Sequence, residues 1–359
     1  MALFMLNQQI WLSPSIHPVY ARLICAELRR RGFSDLQILH GTRLSWHTLH
    51  HDNRFLSFDQ MHRLVLHALS LSDCSWLGIE VGRHTDVSAH GAAGYASIVT
   101  DDVRSAVGII NRYSSLRQNI AAFRIDPQSS AMLVLDERLI LPELREYLLG
   151  HFTTAILRLL ETATGLPLHQ ELTLHWPMPE TDGSEAYHQV AGTVVFGSDQ
   201  LRLELPSGYL DSPCLAADPD AERLALRDCE NQLQRLVRGG SLSERIKQRL
   251  LGSTDQYPTL EQMAVHEHMA PRTLIRHLND EGVRYQTLLD DVRCDLACWL
   301  LSQTTLSIES VAERLGYLDP TNFSRTFRRW LGVTPRDFRQ QAAQVSSRFD
   351  AGSGADLQS

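Results

Sequence analysis

The sequence predicts an α+β domain followed by an all-α domain, the second built from two helix-turn-helix units joined by a linker helix. Up to about residue 236, helical and strand-like periodicities are both present, and they are segregated rather than strictly alternating. From Ser241 onward the strand patterns stop and helix patterns follow one another closely. Within that second stretch one arrangement occurs twice: a capped amphipathic helix, a turn, and a second helix with one apolar and one polar face.

A chain of 359 residues is longer than one ordinary core supports, so it divides. Residues 1–236 form the first domain, 237–242 a linker carrying Gly239-Gly240, and 243–341 the second domain. Residues 342–359 are small and polar and predict a disordered tail.

In the first domain, helical spacing covers residues 15–31 up to Gly32, then 57–71, 103–117, 141–162 and 219–237. Ser57 followed by Gln60 reads as a capping box at the start of the second of these. Residues 120–125 and 131–135 predict a hairpin, and 171–176, 190–196 and 201–205 alternate as strands.

Composition narrows the function. The net charge is −8, but residues 1–240 hold 20 Lys+Arg against 27 Asp+Glu, whereas residues 241–340 hold 13 of each. The acidity therefore belongs to the first domain, and the second is neutral with its bases clustered locally. Lys247 is the only lysine. No run of eighteen apolar residues is present, so no membrane-spanning helix is expected, and the N-terminus lacks the basic region of a signal peptide. A cytoplasmic protein with reduced cysteines is expected.

The six cysteines contain no C-x-x-C. Cys294 and Cys298 share a helix face, but two thiolates do not close a tetrahedral site. His40, His47, His50 and His51, with Asp52, match no metal spacing and read as exposed or capping histidines. His62 and His67 fall in an apolar run that reads as a core helix. Nucleophile elbow, P-loop, dinucleotide fingerprint and H-E-x-x-H are all absent, so an enzyme is not expected, nor is a cofactor. An enzyme of the alkyl-transfer repair kind fused to such a second domain would need a zinc-held cysteine cluster.

The second helix-turn-helix unit is the more regular. Ser307 caps a helix whose apolar face is Ile308, Val311, Ala312 and Leu315, and Gly316 supplies the turn. Asp319-Pro320 opens the next helix, with Phe323, Phe327 and Trp330 or Leu331 on its inner face. The small Ala312 lets the helices cross closely, and the polar outer face is left for a DNA major groove. Upstream, Thr259 and Gln262 cap a helix presenting Leu260, Met263 and Ala264 inward, and Pro271 begins a second helix. Between the units Tyr285 to about Leu301 is one helix, roughly 25 Å at 1.5 Å per residue.

The run SIESVAERLGYLDPTNFSRTFRRWLGVTPRDFR, from Ser307 to Arg339, resembles the signature of the AraC/XylS family of transcriptional regulators. The stretch from Pro271 to Leu301 is similar to the first half of that DNA-binding domain. Three positions depart from the pattern: Glu267 replaces an apolar residue, His268 the turn glycine, and Ala270 the serine cap. In the first domain GAAGYASIVTDDVRSAVGIINRYSSL (91–116) and VVFGSDQLRLELPSGYLDSPCLAADP (194–219) resemble the arabinose-binding-type N-terminal domain of one AraC-like subgroup.

The resemblance implies base-contacting positions at Arg272, Ile275 and Arg276 in the first unit and at Thr321, Asn322 and Arg325 in the second. Arg276 and Arg325 suit bidentate pairing with guanine, and a phosphate contact or a solvated side chain is the alternative for either. Arg293, Arg328, Arg329, Arg336 and Arg339 are expected at phosphates or in solvent. The implied protein binds double-stranded promoter DNA as a homodimer, is controlled by a small-molecule effector or by dimerisation through the N-terminal domain, and contacts RNA polymerase if it activates, which is the family habit. The alternative is a DNA-binding regulator whose N-terminal domain only dimerises or binds a protein, with no small-molecule ligand.

Overall fold

The computed structural model describes residues 11–50, 55–129, 131–139, 141–180, 183–237, 241–253 and 257–340. The predicted tail at 342–359, the glycine pair of the linker, His51 and Asp52 lie outside the described residues. The chain separates into two compact units, Ser15–Phe55 with His62–Leu236, and Met1–Pro14 with Leu56–Met61 and Val237–Ser359.

Helices α1 (Val19–Arg30), α2 (Asp35–Leu39), α3 (Trp46–His50), α4 (Phe58–Ser72), α5 (Leu77–Arg83), α6 (Gly91–Val99), α7 (Val103–Arg112), α8 (Arg145–Thr164), α9 (Glu185–His188) and α10 (Pro219–Val237) precede the C-terminal helices. Five strands, β1 (Ala121–Ile125), β2 (Met132–Glu137), β3 (Thr173–His175), β4 (Thr193–Val195) and β5 (Arg202–Glu204), form one sheet in the order β1-β2-β5-β3-β4. The predicted hairpin is β1–β2, antiparallel with Phe123 opposite Leu135. Leu133 and Leu174 both face Leu203, so three adjacent strands place fully buried leucines in register. Strand β4 pairs with β3 in parallel and forms an edge, leaving Val195 exposed. The mixed α+β reading of this domain holds.

Local chemistry explains the boundaries. Ser57 and Gln60 exchange the two hydrogen bonds of the predicted capping box. Helix α1 begins four residues later than its periodicity suggested, because Pro18 keeps His17 out of helical conformation. The 103–117 pattern stops at Arg112 and finishes in a 3₁₀ turn at Ser114–Leu116. Helix α8 is buried along most of its length and ends at Gly165 in left-handed conformation.

Helix α5 was not visible in the periodicity. A Cβ on Gly78 would stand 2.0 Å from the carbonyl oxygen of Tyr147, and one on Gly82 would stand 2.0 Å from Thr154 Oγ1. These two glycines allow α5 to lie against α8 at near backbone contact, while their low helix propensity hides the element in the sequence.

The C-terminal unit contains α11 (Leu242–Leu251), α12 (Leu260–His266), α13 (Pro271–Asp280), α14 (Tyr285–Gln303), α15 (Ile308–Arg314) and α16 (Pro320–Leu331). Its core draws on every one of these helices and also takes in Leu12. Helix α14 is buried nearly all round, with Val292, Cys294, Ala297, Cys298 and Leu300 fully enclosed, so it is the core of the unit as well as its spacer. Among the described residues no single helix is long and apolar enough to cross a membrane.

Candidate nucleic-acid interface

Helices α12 and α13 form the first helix-turn-helix unit, α15 and α16 the second. In the first, Met263 and Ala264 of α12 are buried with Leu274 and Leu278 of α13; in the second, Val311 and Ala312 are buried with Phe323 and Phe327. The small alanine at each crossing is what lets the paired helices approach closely. Phe323 and Phe327 meet edge to face at 5.6 Å, and Tyr317 and Phe338 continue the aromatic cluster at either end.

The two turns have the same hydrogen bonding. Met269 N–H donates to Ala264 O at 2.9 Å, and Tyr317 N–H donates to Ala312 O at 3.0 Å. These six-to-one bonds close a Schellman turn around a left-handed residue, which is His268 (φ +54°) in the first unit and Gly316 (φ +78°) in the second. His268 therefore does take the glycine's conformation. At the following cap, Asp319 accepts from Thr321 N–H at 2.8 Å, and the backbone N–H of Thr321 holds its carboxyl below the usual carboxylate range. Ala270, at the corresponding place, makes no side-chain cap.

Glu267, which departs from the family pattern, is buried by design of its neighbours. Its side chain is 5% exposed and accepts from Arg245 Nε at 3.0 Å and from Arg249 Nε at 2.9 Å. Both arginines lie on α11, so a charge clamp ties this platform helix to the turn of the first unit. Glu281 works in the other direction: its carboxylate accepts from the N–H groups of Leu242 and Ser243 at 2.9 and 3.0 Å, capping α11. Desolvation opposes ionisation there, but the hydrogen bonds from Ser243 and Leu242 hold the carboxyl below its usual range.

Several of the described basic residues in this unit are engaged internally. Besides Arg245 and Arg249, Lys247 Nζ pairs with buried Asp295 of α14 at 3.2 Å. Arg293, expected at a phosphate or in solvent, instead sits between the rings of Tyr257 and Tyr317, at 5.0 and 5.5 Å from their centroids. Arg339, given the same expectation, donates to the carbonyls of Leu301 and Leu306 at 3.3 and 2.6 Å and so caps the end of the linker helix region. Neither role was legible from spacing, because each partner is remote in sequence.

The six residues singled out from the sequence all lie on exposed faces. Arg272, Ile275 and Arg276 follow one another on the outer side of α13, with Ile275 43% exposed. Ile275 also borders a cleft of about 650 Å³ lined by Tyr257, Leu278, Asn279 and Arg284. Thr321 and Asn322 occupy the first turn of α16, and Arg325 lies one turn further on the same exposed side. The side chains of Arg272, Arg276, Arg325, Arg328 and Arg329 have no hydrogen-bond or ion-pair partner among the described residues.

The comparisons with known proteins agree with this architecture. Residues 32–214 match the model of the arabinose-binding domain of AraC transcription regulators, N-terminal. Residues 263–341 match a helix-turn-helix domain model. The ornithine utilization regulator of Pseudomonas aeruginosa is 30% identical over 346 residues, covering 93% of this chain and 99% of that protein. The chain belongs to the AraC family of transcription regulators. An uncharacterized helix-turn-helix-type regulator of Mycobacterium tuberculosis is 25% identical over 333 residues, covering 90% of this chain and 96% of its own length. Among solved structures, the transcriptional regulator CdpR of Pseudomonas aeruginosa is 25% identical, with a TM-score of 0.45 and coverage of 89% of this chain and 97% of that one. By the family model over residues 263–341, the regulator is a DNA-binding protein whose helix-turn-helix domain is its C-terminal part.

Proposed function

We propose that this AraC-family regulator reads promoter DNA with two helices, α13 through Arg272, Ile275 and Arg276, and α16 through Thr321, Asn322 and Arg325. The observation that carries the reading is the partition of cations in a domain of zero net charge. Arg245, Lys247, Arg249, Arg293 and Arg339 are spent on internal contacts, while Arg272, Arg276, Arg325, Arg328 and Arg329 stand on the two exposed helix faces with no hydrogen-bond or ion-pair partner among the described residues. Phosphates satisfy such cations without sequence preference, and guanine edges satisfy them with it. Residues 1–236 act as the effector-sensing and dimerising domain, 243–341 as the DNA-binding domain. The working form is a cytoplasmic homodimer, which gives two copies of a short asymmetric contact, and RNA polymerase is its partner at promoters it activates.

Arg325→Ala tests the reading. Binding to the cognate promoter is expected to weaken by about 1–3 kcal/mol, with one base position losing its preference. Gel-shift titrations on the promoter and on random duplex DNA at one salt concentration distinguish the roles. Equal loss on both duplexes makes Arg325 a phosphate contact and removes it from the base-reading set.

A further inference from the structure

Helix α8 carries His151 at the middle of the N-terminal domain, 7% exposed, with its Nδ1 enclosed and without a hydrogen-bond partner among the described residues. His90 closes the 3₁₀ turn Val87–His90, and its Nε2 is likewise enclosed and unpartnered. A buried polar atom left unpaired is costly, and two in one neighbourhood call for an explanation. Tyr20 of α1 stands edge-on to His151 with ring centroids 5.7 Å apart, and Tyr147 stacks on the same imidazole at 6.1 Å.

Arg117 completes the group. Its guanidinium lies against the backbone of Gly91, the residue after His90, so closely that a Cβ there would be 1.7 Å from Nη2. Gly91 has φ +61°, so both its conformation and its bareness are required. The Arg117 loop is pinned by His17 N–H donating to Arg117 O at 2.8 Å. The Arg117 side chain has no carboxylate partner among the described residues, and the neighbouring cation Arg22 donates to the Leu49 carbonyl instead. Burial pushes His151 and His17 down to about 3 and His90 down to about 4, with Arg117 lowering His17 and His90 further. At neutral pH these rings are uncharged, each with one N–H to offer. Burial pushes Tyr20 up to about 12, so its hydroxyl keeps its proton.

Among the described residues the neighbourhood therefore collects a guanidinium, a phenol and two imidazoles with an enclosed, unpartnered nitrogen each, and no acid. We propose that Arg117, Tyr20, His90 and His151 form a binding site for a small organic anion, a carboxylate or a phosphate. Such a group pairs with the guanidinium fork and gives the enclosed imidazoles the partners they lack. A neutral polyol would leave the guanidinium unpaired, so the site does not suit a simple sugar. The proposal rests on the effector-sensing role given to residues 1–236 and supplies its ligand class.

Thermal unfolding and titration calorimetry of the full-length protein test it. The probes are sodium acetate, L-glutamate, 2-oxoglutarate, octanoate and inorganic phosphate, with sodium chloride at matched ionic strength, plus L-arabinose as neutral polyol and putrescine as cation. At least one carboxylate, or phosphate, is expected to raise Tm saturably, and its amide, or sulfate-free chloride buffer in the case of phosphate, is not. The two arms separate the sources of the anionic group. Arg117→Gln is expected to weaken that probe at least about tenfold, as loss of a charged bidentate pair implies. Arg117→Lys, which keeps the charge without the fork, takes its place if the glutamine variant does not fold, and His90→Gln should weaken the same probe. The site is refuted if no anion exceeds chloride, or if binding survives the Arg117 substitution unchanged. If arabinose or putrescine stabilises wild type and variant alike, sensing stands and this site falls. If no probe of any charge acts, both fall.

Discussion

In the second helix-turn-helix unit the turn is Leu315-Gly316 and the cap is Asp319; in the first, the matching positions are Glu267, His268 and Ala270. The backbones nevertheless close the same six-to-one hydrogen bond around the same left-handed residue. Leu315 fills its site by burial alone, whereas Glu267 fills it by drawing two arginines from α11. The difference teaches that this turn is fixed by the shape of the helix crossing, and that several side-chain chemistries can support it. The second unit relies on apolar packing and a cap, and the first on a charge clamp to a platform helix.

The largest effect should come from the crossing itself. Phe323 is fully buried and joined to Tyr317 and Phe327, so Phe323→Ala is expected to cost about 3–5 kcal/mol. Leu274→Ala, the matching change in the first unit, should cost about 2–5 kcal/mol and fall below the phenylalanine value. Chemical denaturation of the full chain measures both. A larger loss at Leu274 would show the first unit to be the better packed one and would reverse the comparison.

Glu267→Ala probes the clamp. Arg245 and Arg249 are half exposed and can turn to solvent, so the loss is limited to about 1–2 kcal/mol despite the burial of the carboxylate. Its signature is salt dependence: the gap between wild type and variant should narrow as ionic strength rises. A gap independent of salt would mean that Glu267 acts through packing, as Leu315 does.

How much of this was legible in the sequence follows the range of the interactions. The capping boxes at Ser57 and Thr259, the caps at Ser307 and Asp319 and the β1–β2 hairpin are local and were all readable. The exposed faces bearing Arg276 and Arg325 were readable too, because helical period alone sets them. Arg293 and Arg339 were misplaced, since the rings and carbonyls that hold them come from other helices. Helix α5 escaped because its glycines serve contact with α8 at the cost of propensity. The Arg117, His90 and His151 grouping has no sequence signal, its members being spread over separate elements. The sequence did mark Glu267, His268 and Ala270 as departures, but only the fold shows that the first is compensated and the last is not.

That uncompensated cap is a site for gain. Ala270 already has the extended backbone of an N-cap, with ψ +147°, and lacks only the side-chain acceptor. Ala270→Ser should stabilise the first unit by about 1 kcal/mol, seen as a rise in Tm. No rise would mean that Pro271 at the first helical position already supplies what the cap would add.

The smallest effect concerns His268. A side chain in left-handed conformation costs on the order of 1 kcal/mol, which glycine avoids, but glycine also gives the unfolded chain more freedom to lose. The two terms nearly cancel, so His268→Gly should raise stability by less than about 1 kcal/mol. The reverse change is not its mirror. A Cβ at Gly316 would meet Arg293 Nη2 at 3.6 Å and Tyr257 at 3.9 Å, so there is room, but a histidine ring beyond that Cβ would press on the Tyr257–Arg293–Tyr317 stack. Gly316→His should therefore cost more than His268→Gly gains. Equal and opposite shifts in Tm would show that backbone conformation alone separates the two turns, and that the stack around Arg293 plays no part in the choice of glycine.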